Sequence, residues 1–355
     1  MEQVKLLLKT SLCCSSDKSA QGIGILAITV GNLTLDPPVF LAPLAGITDL
    51  PFRKMVLRFG AGLVVSEMVA SQEMVQAKPS TRARAELGLG NERTSVQIAG
   101  REAYWMAECA KLCVGQGARI IDINMGCPAK KVTTGYSGSA LMKDPDHAMS
   151  LIEAVVGSVE VPVTLKMRLG WDDACLNAAD IAKRAEDVGV KMITIHGRTR
   201  CQFYKGAADW AAIRAVKSAV NIPVIANGDI VDSTSARRAI DLSNADGVMV
   251  GRGARGQPWV LAKIAAEISG EVYTGIPQDD FLADTIIEHY EDMIRFYGEN
   301  LGVRNARKHL GWYLERIAGG TDLRNSIIRE PSSKIVIRRL MTGLKNCDCI
   351  VEVAA

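Results

Sequence analysis

The sequence predicts an α/β fold, a (β/α)8 TIM barrel followed by a small all-helical domain. Three observations predict it. Eight short, β-branched and nearly all-apolar runs recur between residues 39 and 253, as strands buried on both faces should. Amphipathic stretches such as "EAYWMAECAKLCVGQG" and "NAADIAKRAEDVGV" separate them, giving eight alternating βα units. Beyond about residue 278 the strand runs stop. There "DDFLADTIIEHYEDMIRFYGENLGVRNARKHLGWYLERIAG" and "SSKIVIRRLMTGL" have a helical period. A doubly wound open sheet is the alternative, and the eighth unit, which completes a ring, favours the barrel. The expected division is an N-terminal extension at 1–30, a barrel domain at 31–277, a helical domain at 278–345 and a tail at 346–355.

Barrel active sites form at the C-terminal ends of the strands, and here those ends turn polar in order. "VFLAP" at 39 runs into Pro43, Leu44 and Ala45, and "LVVSEM" at 63 into Ser66 and Glu67. "SVQIAG" at 95 carries Gln97, and "IIDINMG" at 120 leads to Asn124 and Cys127. "PVTLKMR" at 162 carries Lys166 and Arg168, and "MITIHGR" at 192 carries His196 and Arg198. "PVIANGD" at 223 ends in Asn227, Gly228 and Asp229, and "GVMVGRG" at 247 ends in Gly251, Arg252 and Gly253.

Glycine-rich turns after the seventh and eighth strands commonly cradle a phosphate with backbone N–H groups. Arg252 supplies a charge there; plain tight turns are the alternative. Lys166 interrupts an apolar strand, and a buried ammonium needs an anionic or electron-rich partner. That partner is a neighbouring carboxylate such as Glu67, the electron-rich edge of a reduced flavin, or a carbonyl substrate held as a Schiff base. His196 is either a satisfied core histidine or a site residue. Cys127, between Gly126 and Pro128, is an incidental loop thiol, a nucleophile or a general acid, and Lys130 and Lys131 favour its thiolate. The link from Gly126 to about Pro145 is the longest strand-to-helix connection and a candidate lid.

Of the 355 residues, 48% are apolar and 23% charged, as in soluble globular proteins. No apolar run approaches the ~20 residues of a membrane span, and the leucines near the start are too few for a signal segment. The nine cysteines are irregularly spaced, with Cys109 and Cys113 one helical turn apart and Cys347 and Cys349 near the tail. No metal-ligand pattern appears among them, so no metal is expected, and reduced thiols suggest a cytoplasmic protein. The net charge of +3 hides a split: Arg295 to Lys345 holds 11 Lys and Arg against 4 Asp and Glu, a net +7, which leaves −4 elsewhere. A basic terminal segment on an acidic body suits a polyanion partner; a solvated helix face is the alternative.

These residues resemble the tRNA-dihydrouridine synthases, most closely the B-type bacterial branch. The likeness covers about residues 31 to 343 and rests on "APLAGITDLPFR", "DINMGCPAKKV", "GSALM", "TLKMRLGW", "IHGRTRCQFYKGAADW", "PVIANGDI", "GVMVGRGARGQPW" and "ARKHLGWY". It implies FMN-dependent reduction of D-loop uridines in tRNA to 5,6-dihydrouridine, with NADPH or NADH as reductant. By the same resemblance, the backbone of Pro43, Leu44 and Ala45 lies against the flavin, and Gln97, Lys166 and His196 contact its ring or ribityl chain. Asn227, Gly228, Asp229, Gly251 and Arg252 would hold the ribityl and phosphate end. Asn124, Arg168 and Arg198 would meet the uracil, with Cys127 as proton donor to C5. Arg304, Arg307 and Lys308, in the helical domain, would grip tRNA. The branch suggests position 17, and a monomer is expected.

The chain departs from the pattern in two places. "TTGYSGSALM" follows Val132 where B-type relatives carry a more basic stretch, and residues 1–22 have no family counterpart. Three rivals remain: an FMN barrel acting on a free pyrimidine or enone, an aldolase-like lyase using Lys166, and a non-catalytic RNA-binding scaffold.

Overall fold

The computed structural model describes residues 27–76 and 93–344; most of the expected extension and the whole tail, with Cys347 and Cys349, lie outside the described residues. A hairpin comes first, β1 (Ile28–Val30) and β2 (Leu33–Leu35). The barrel strands are β3 (Val39–Leu41), β4 (Leu63–Val65), β6 (Thr94–Ala99), β7 (Ile120–Met125), β8 (Val163–Arg168), β9 (Met192–His196), β10 (Val224–Asn227) and β11 (Gly247–Val250). They pair in parallel and in sequence, β11 pairs with β3, and a β4–β6 pairing completes the ring. Short β5 (Val69–Ala70) lies beside β6. All eight expected strands are present, and the sheet is closed rather than open.

The outward side chains of the strands pack on the surrounding helices in one large core. The hairpin has a different job. Ile28, Val30, Leu33 and Leu35 pack with Phe40, Leu63, Ile120, Met192, Ile225 and Met249, residues at or near the starts of their strands. The hairpin therefore plugs the N-terminal mouth of the barrel. The expected boundary at residue 30 falls inside it and moves upstream, because both hairpin strands bury apolar side chains against the barrel.

Register places the polar strand residues. Gln97 lies opposite Asp122, Asn124 opposite Lys166, Arg168 opposite His196 and His196 opposite Asn227. Parallel neighbours at matching heights bring these side chains to one end of the barrel.

The helices Asp279–Tyr297, Glu299–Leu314, Gly320–Ile327 and Ser333–Leu344 form the terminal unit around a core of their own. It docks on the first barrel helix, Leu50–Phe59, which is capped by Asp49 at its start and by left-handed Gly60 at its end. The Phe52 ring lies 5.6 Å from His289 and 5.3 Å from His309, Arg58 pairs with Glu288, and Tyr297 donates to Asp49 Oδ2 at 3.0 Å. Burial pushes the His289 imidazole down to about 3 and His309 well below its usual value, so both are neutral at neutral pH. Among the described residues, no helix is long and apolar enough to cross a membrane.

Asp49 carries a cost at this joint. Burial raises its carboxyl to about 6, although the Phe52 N–H and the Tyr297 hydroxyl work against the rise. The folded state then binds this proton more tightly than the unfolded chain. The stability it confers is complete below the unfolded value and is lost as pH rises through about 6. Asparagine keeps the cap without the charge. Asp49→Asn should therefore exceed the wild type in stability at pH 8 by up to about 3 kcal/mol. The gap should close towards pH 4. Urea unfolding at the two pH values measures it.

Candidate active site

A cavity of about 1200 Å3 opens at the C-terminal ends of the barrel strands. Pro43, Leu44 and Ala45 form one wall; Gln97, Asn124 and Cys127 form the next. Lys166, Arg168 and His196 continue round it, and Asn227, Gly228, Asp229, Gly251 and Arg252 complete the ring.

One buried carboxylate organises the second wall. Asp122 accepts from Thr164 Oγ1 at 2.6 Å and from Gln97 Nε2 at 2.6 Å. Gln97 thereby turns its Oε1 towards Asn124, whose Nδ2 donates to it at 2.7 Å. Asn124 Oδ1 in turn accepts from the N–H groups of Gly126 (3.2 Å) and Cys127 (3.0 Å). Burial raises the Asp122 carboxyl, opposed by its two donors and by the Lys166 charge.

Lys166 does not pair with Glu67. Its Nζ donates to Asn227 Oδ1 at 3.0 Å, and Asn227 Nδ2 donates to the Met249 carbonyl at 2.7 Å. Burial pushes the ammonium down to about 8, partly offset by Asp122. It remains mostly protonated at pH 7 and loses its charge as pH rises through about 8. Burial also drives His196 down to about 2, with Lys166 next in effect, so its imidazole is neutral.

The turn after β10 needs glycine. Gly228 has φ +111°, and a Cβ there would come within 2.7 Å of the His196 ring. Asp229, next to it, is held by a bidentate Arg198 and by Arg252 at 3.2 Å. Burial acts to raise its carboxyl, but the Arg198 fork, the Ala208 N–H and the Arg252 charge hold it below the usual range.

Cys127 is half-buried and fixed by its own loop. Its carbonyl accepts from Ser139 N at 3.1 Å and Ser139 Oγ at 2.9 Å. Gly138, at φ +61°, leaves room for that contact, since a Cβ would come within 2.8 Å of the same oxygen. Arg168 spends three of its N–H groups on the carbonyls of Gly126, Thr199 and Phe203, at 2.8, 2.9 and 2.8 Å. Burial lowers its guanidinium to about 10, still charged at neutral pH. In the link from Gly126 to about Pro145, the expected lid, one half is packed down. Leu141 and Met142 belong to the barrel core, so the second half of the loop is anchored.

The profile of the family described as Dihydrouridine synthase (Dus) matches residues 40–339. The chain belongs to the dihydrouridine synthase family. It is similar to a probable tRNA-dihydrouridine synthase of Rhodobacter capsulatus, 62% identical over 317 residues, 88% of this chain and 97% of that protein. The counterpart of Rhizobium leguminosarum bv. phaseoli is 56% identical over 79% of this chain and 86% of its own. The tRNA-dihydrouridine synthase B of Pseudomonas putida is 46% identical over 84% and 88%. Among solved structures, histamine dehydrogenase from Rhizobium sp. 4-9 superposes with a TM-score of 0.52 at 12% identity, over 76% of this chain and 51% of that one. That is a likeness of fold alone, and this chain spans about half of that protein.

Four expected residues of this dihydrouridine synthase family member stand outside the cavity lining. Arg198 is 1% exposed, and its donors are taken by Asp229, the Lys205 and Gly206 carbonyls and the His196 ring. It braces Asp229 from behind. Arg304 is exposed on the helix Glu299–Leu314, and Arg307 and Lys308 are half-buried on it. Lys308 reaches the rim, since a Cβ at Gly46 would lie 3.6 Å from its Nζ. Arg307 Nε is buried without a hydrogen-bond partner.

Sequence reasoning missed Asp122, Tyr204, Arg255 and Arg316. Tyr204 lines the cavity, with the Arg168 and Arg252 guanidinium carbons 5.5 and 5.7 Å from its ring centre. Arg255 and Arg316 line it from the far side of Arg252. Among the described residues, no group of three or more His, Cys, Asp or Glu is placed to hold a metal ion.

Asp122→Asn tests the relay. An amide there puts an N–H₂ opposite Thr164 or Gln97, so one buried donor loses its acceptor. The expected loss is about 1–3 kcal/mol, read by urea unfolding. A variant as stable as the wild type would remove Asp122 as the organiser.

Proposed function

We infer that this chain reduces uridines in the D-loop of tRNA to 5,6-dihydrouridine, with bound FMN and with NADPH (or NADH) as reductant. The observation that carries the reading is one cavity holding both a cofactor set and a proton donor. The cofactor set is Lys166, the glycine turns and Arg252; the donor is Cys127, fixed opposite them. The family match and the names of its relatives support the same substrate. A tRNA substrate and the free thiols both suit action in the cytoplasm.

The residues present fit FMN. The tight Gly228 turn, Arg252 and the Gly251–Gly253 turn suit its phosphate, because a Cβ at Gly228 or at Gly253 would strike its neighbours within 3 Å. Gln97, Lys166 and His196 would hold the ring and ribityl chain. At about 1200 Å3 the cavity exceeds the roughly 300–1000 Å3 of usual small-molecule sites, leaving room for a second ligand beside the flavin. Once reduced, the flavin would supply the hydride that reaches uracil C6.

The chain's own residues do the rest. Lys166 keeps a cation in an otherwise apolar strand and loses it above pH ~8. Asn124 has one N–H left after Gln97, and Arg168 has two left after the three loop carbonyls; these suit the uracil carbonyls. Cys127 donates a proton from Sγ to uracil C5, aimed by the Asn124 and Ser139 contacts to its backbone. The target base must leave the folded tRNA to reach this depth.

The decisive experiment is single-turnover oxidation of pre-reduced enzyme by unmodified tRNA. Cys127→Ala should keep its flavin and its reduction by NADPH, because that half-reaction needs no acid at C5. Its reoxidation by tRNA should slow by ~100- to 10,000-fold. A wild-type rate in Cys127→Ala would make the thiol incidental, and reoxidation by free uridine as fast as by tRNA would favour the small-pyrimidine rival.

Phosphate contacts give tRNA affinity its salt dependence. Arg304→Glu with Lys308→Glu should weaken tRNA binding and flatten the salt slope while sparing NADPH oxidation. Arg307 is left intact because its buried Nε ties it to the fold. Unchanged affinity at low salt would return this face to plain solvation.

A further inference from the structure

The stretch "TTGYSG", on the loop after β7, holds the most exposed aromatic ring among those on the strand-end loops. Tyr136 is 71% exposed and sits at φ +52°. A second ring on the loop after β9 matches it: Phe203 is 42% exposed and sits at φ +58°. Bulky residues rarely adopt this left-handed region, and such strain concentrates at working sites. An exposed ring gains nothing from it in the protein core.

Both rings stand on backbone tied to the site. Tyr136 lies three residues before Ser139, whose N and Oγ hold the Cys127 carbonyl. The Phe203 carbonyl accepts from Arg168 Nη1 at 2.8 Å. Trp171, on the loop between them, joins the two: Lys143 Nζ lies 4.2 Å and the Arg200 guanidinium carbon 4.7 Å from its ring centre. The two ring-bearing loops are cationic, while Asp172 and Asp173 follow Trp171 on the loop between them. Residues 126–143 contain three lysines and no acid, and residues 197–206 contain Arg198, Arg200 and Lys205 and no acid.

Exposed rings in a positive field suit unpaired nucleobases, which stack on any aromatic face while their phosphates meet the lysines. We propose that Tyr136 and Phe203 stack the bases flanking the target uridine. This rests on tRNA being the substrate. The rings flank the mouth on barrel loops, so RNA is held there independently of the helical tail.

The test is the tRNA dependence of reoxidation of the pre-reduced holoenzyme, for Tyr136→Ala, Tyr136→Phe, Tyr136→Gly and Phe203→Ala. Each alanine variant should lose about 5- to 100-fold in kcat/KM for tRNA, with the salt slope unchanged because stacking releases no counterions. Tyr136→Phe should stay within twofold of the wild type. Tyr136→Gly should lose as much as alanine while its unfolding temperature does not fall, since glycine relieves the left-handed strain. Flavin content and NADPH oxidation should match the wild type in all four. Alanine variants within twofold of the wild type, a phenylalanine variant as poor as alanine, or a loss shared by the NADPH half-reaction would each overturn the proposal. A wild-type enzyme that tRNA fails to reoxidise overturns the tRNA reading itself, and shows this before any variant is compared.

Discussion

The site depends on one buried carboxyl. Asp122 accepts from Thr164 and Gln97 through its two oxygens, which aims the Gln97 amide and, after it, Asn124. The polarity of three side chains is thus set from inside the barrel before any ligand arrives. At the end of the relay, two backbone N–H groups at the Cys127 turn are held to Asn124 Oδ1. The Cys127 backbone is thus held from two sides, by Asn124 of β7 and by Ser139 of its own loop. The same carboxylate acts electrostatically on Lys166 of the neighbouring strand, so the orientation of the Cys127 turn and the charge beside it share one origin.

The closed barrel makes such an arrangement stable. Buried Asp122 is tolerable because it finds Gln97 and Thr164 on the two adjacent parallel strands, and buried Lys166 because its Nζ reaches past β9 to Asn227 on β10. The hairpin seals the other end, so polar side chains are confined to the working mouth. The loop that forms the cavity wall at Pro43 to Ala45 leads directly into Asp49, which meets Tyr297 of the helical unit. Wall and helical unit are therefore joined through one short segment, and there the Phe52 ring packs against the two neutral histidines, whose own rings lie 4.9 Å apart.

Much of this was legible in the sequence, for physical reasons. Strands covered on both faces must be apolar runs, so all eight stood out, and a lysine within one of them announced a partner. What that partner was did not show: Asn227 lies 61 residues away and two strands over, and only closure of the barrel brings the two side chains together. Asp122 was hidden because a single acid in "IIDINMG" reads as one polar position in an apolar run. The hairpin was cut at residue 30 because three-residue strands have too few positions to show alternation. Arg198 was placed on the substrate because strand-end polar residues usually face the mouth; its guanidinium instead turns to Asp229, which offers it a bidentate partner. Tyr204, Arg255 and Arg316 come from loops and from the terminal unit, where no periodic pattern marks which side chains turn inward.

Charge explains how a mildly acidic body can present a deep cavity to a polyanion. The net +7 of residues 295–345 and the acid-free stretches at 126–143 and 197–206 belong to the helical unit and to the loops after β7 and β9, while the rest of the chain carries the compensating acids. A positive rim on a mildly acidic body would draw an incoming RNA to that end of the barrel. Stacking rings on those same loops would then act at short range, where the field has already delivered the strand, and would hold unpaired bases whatever their identity.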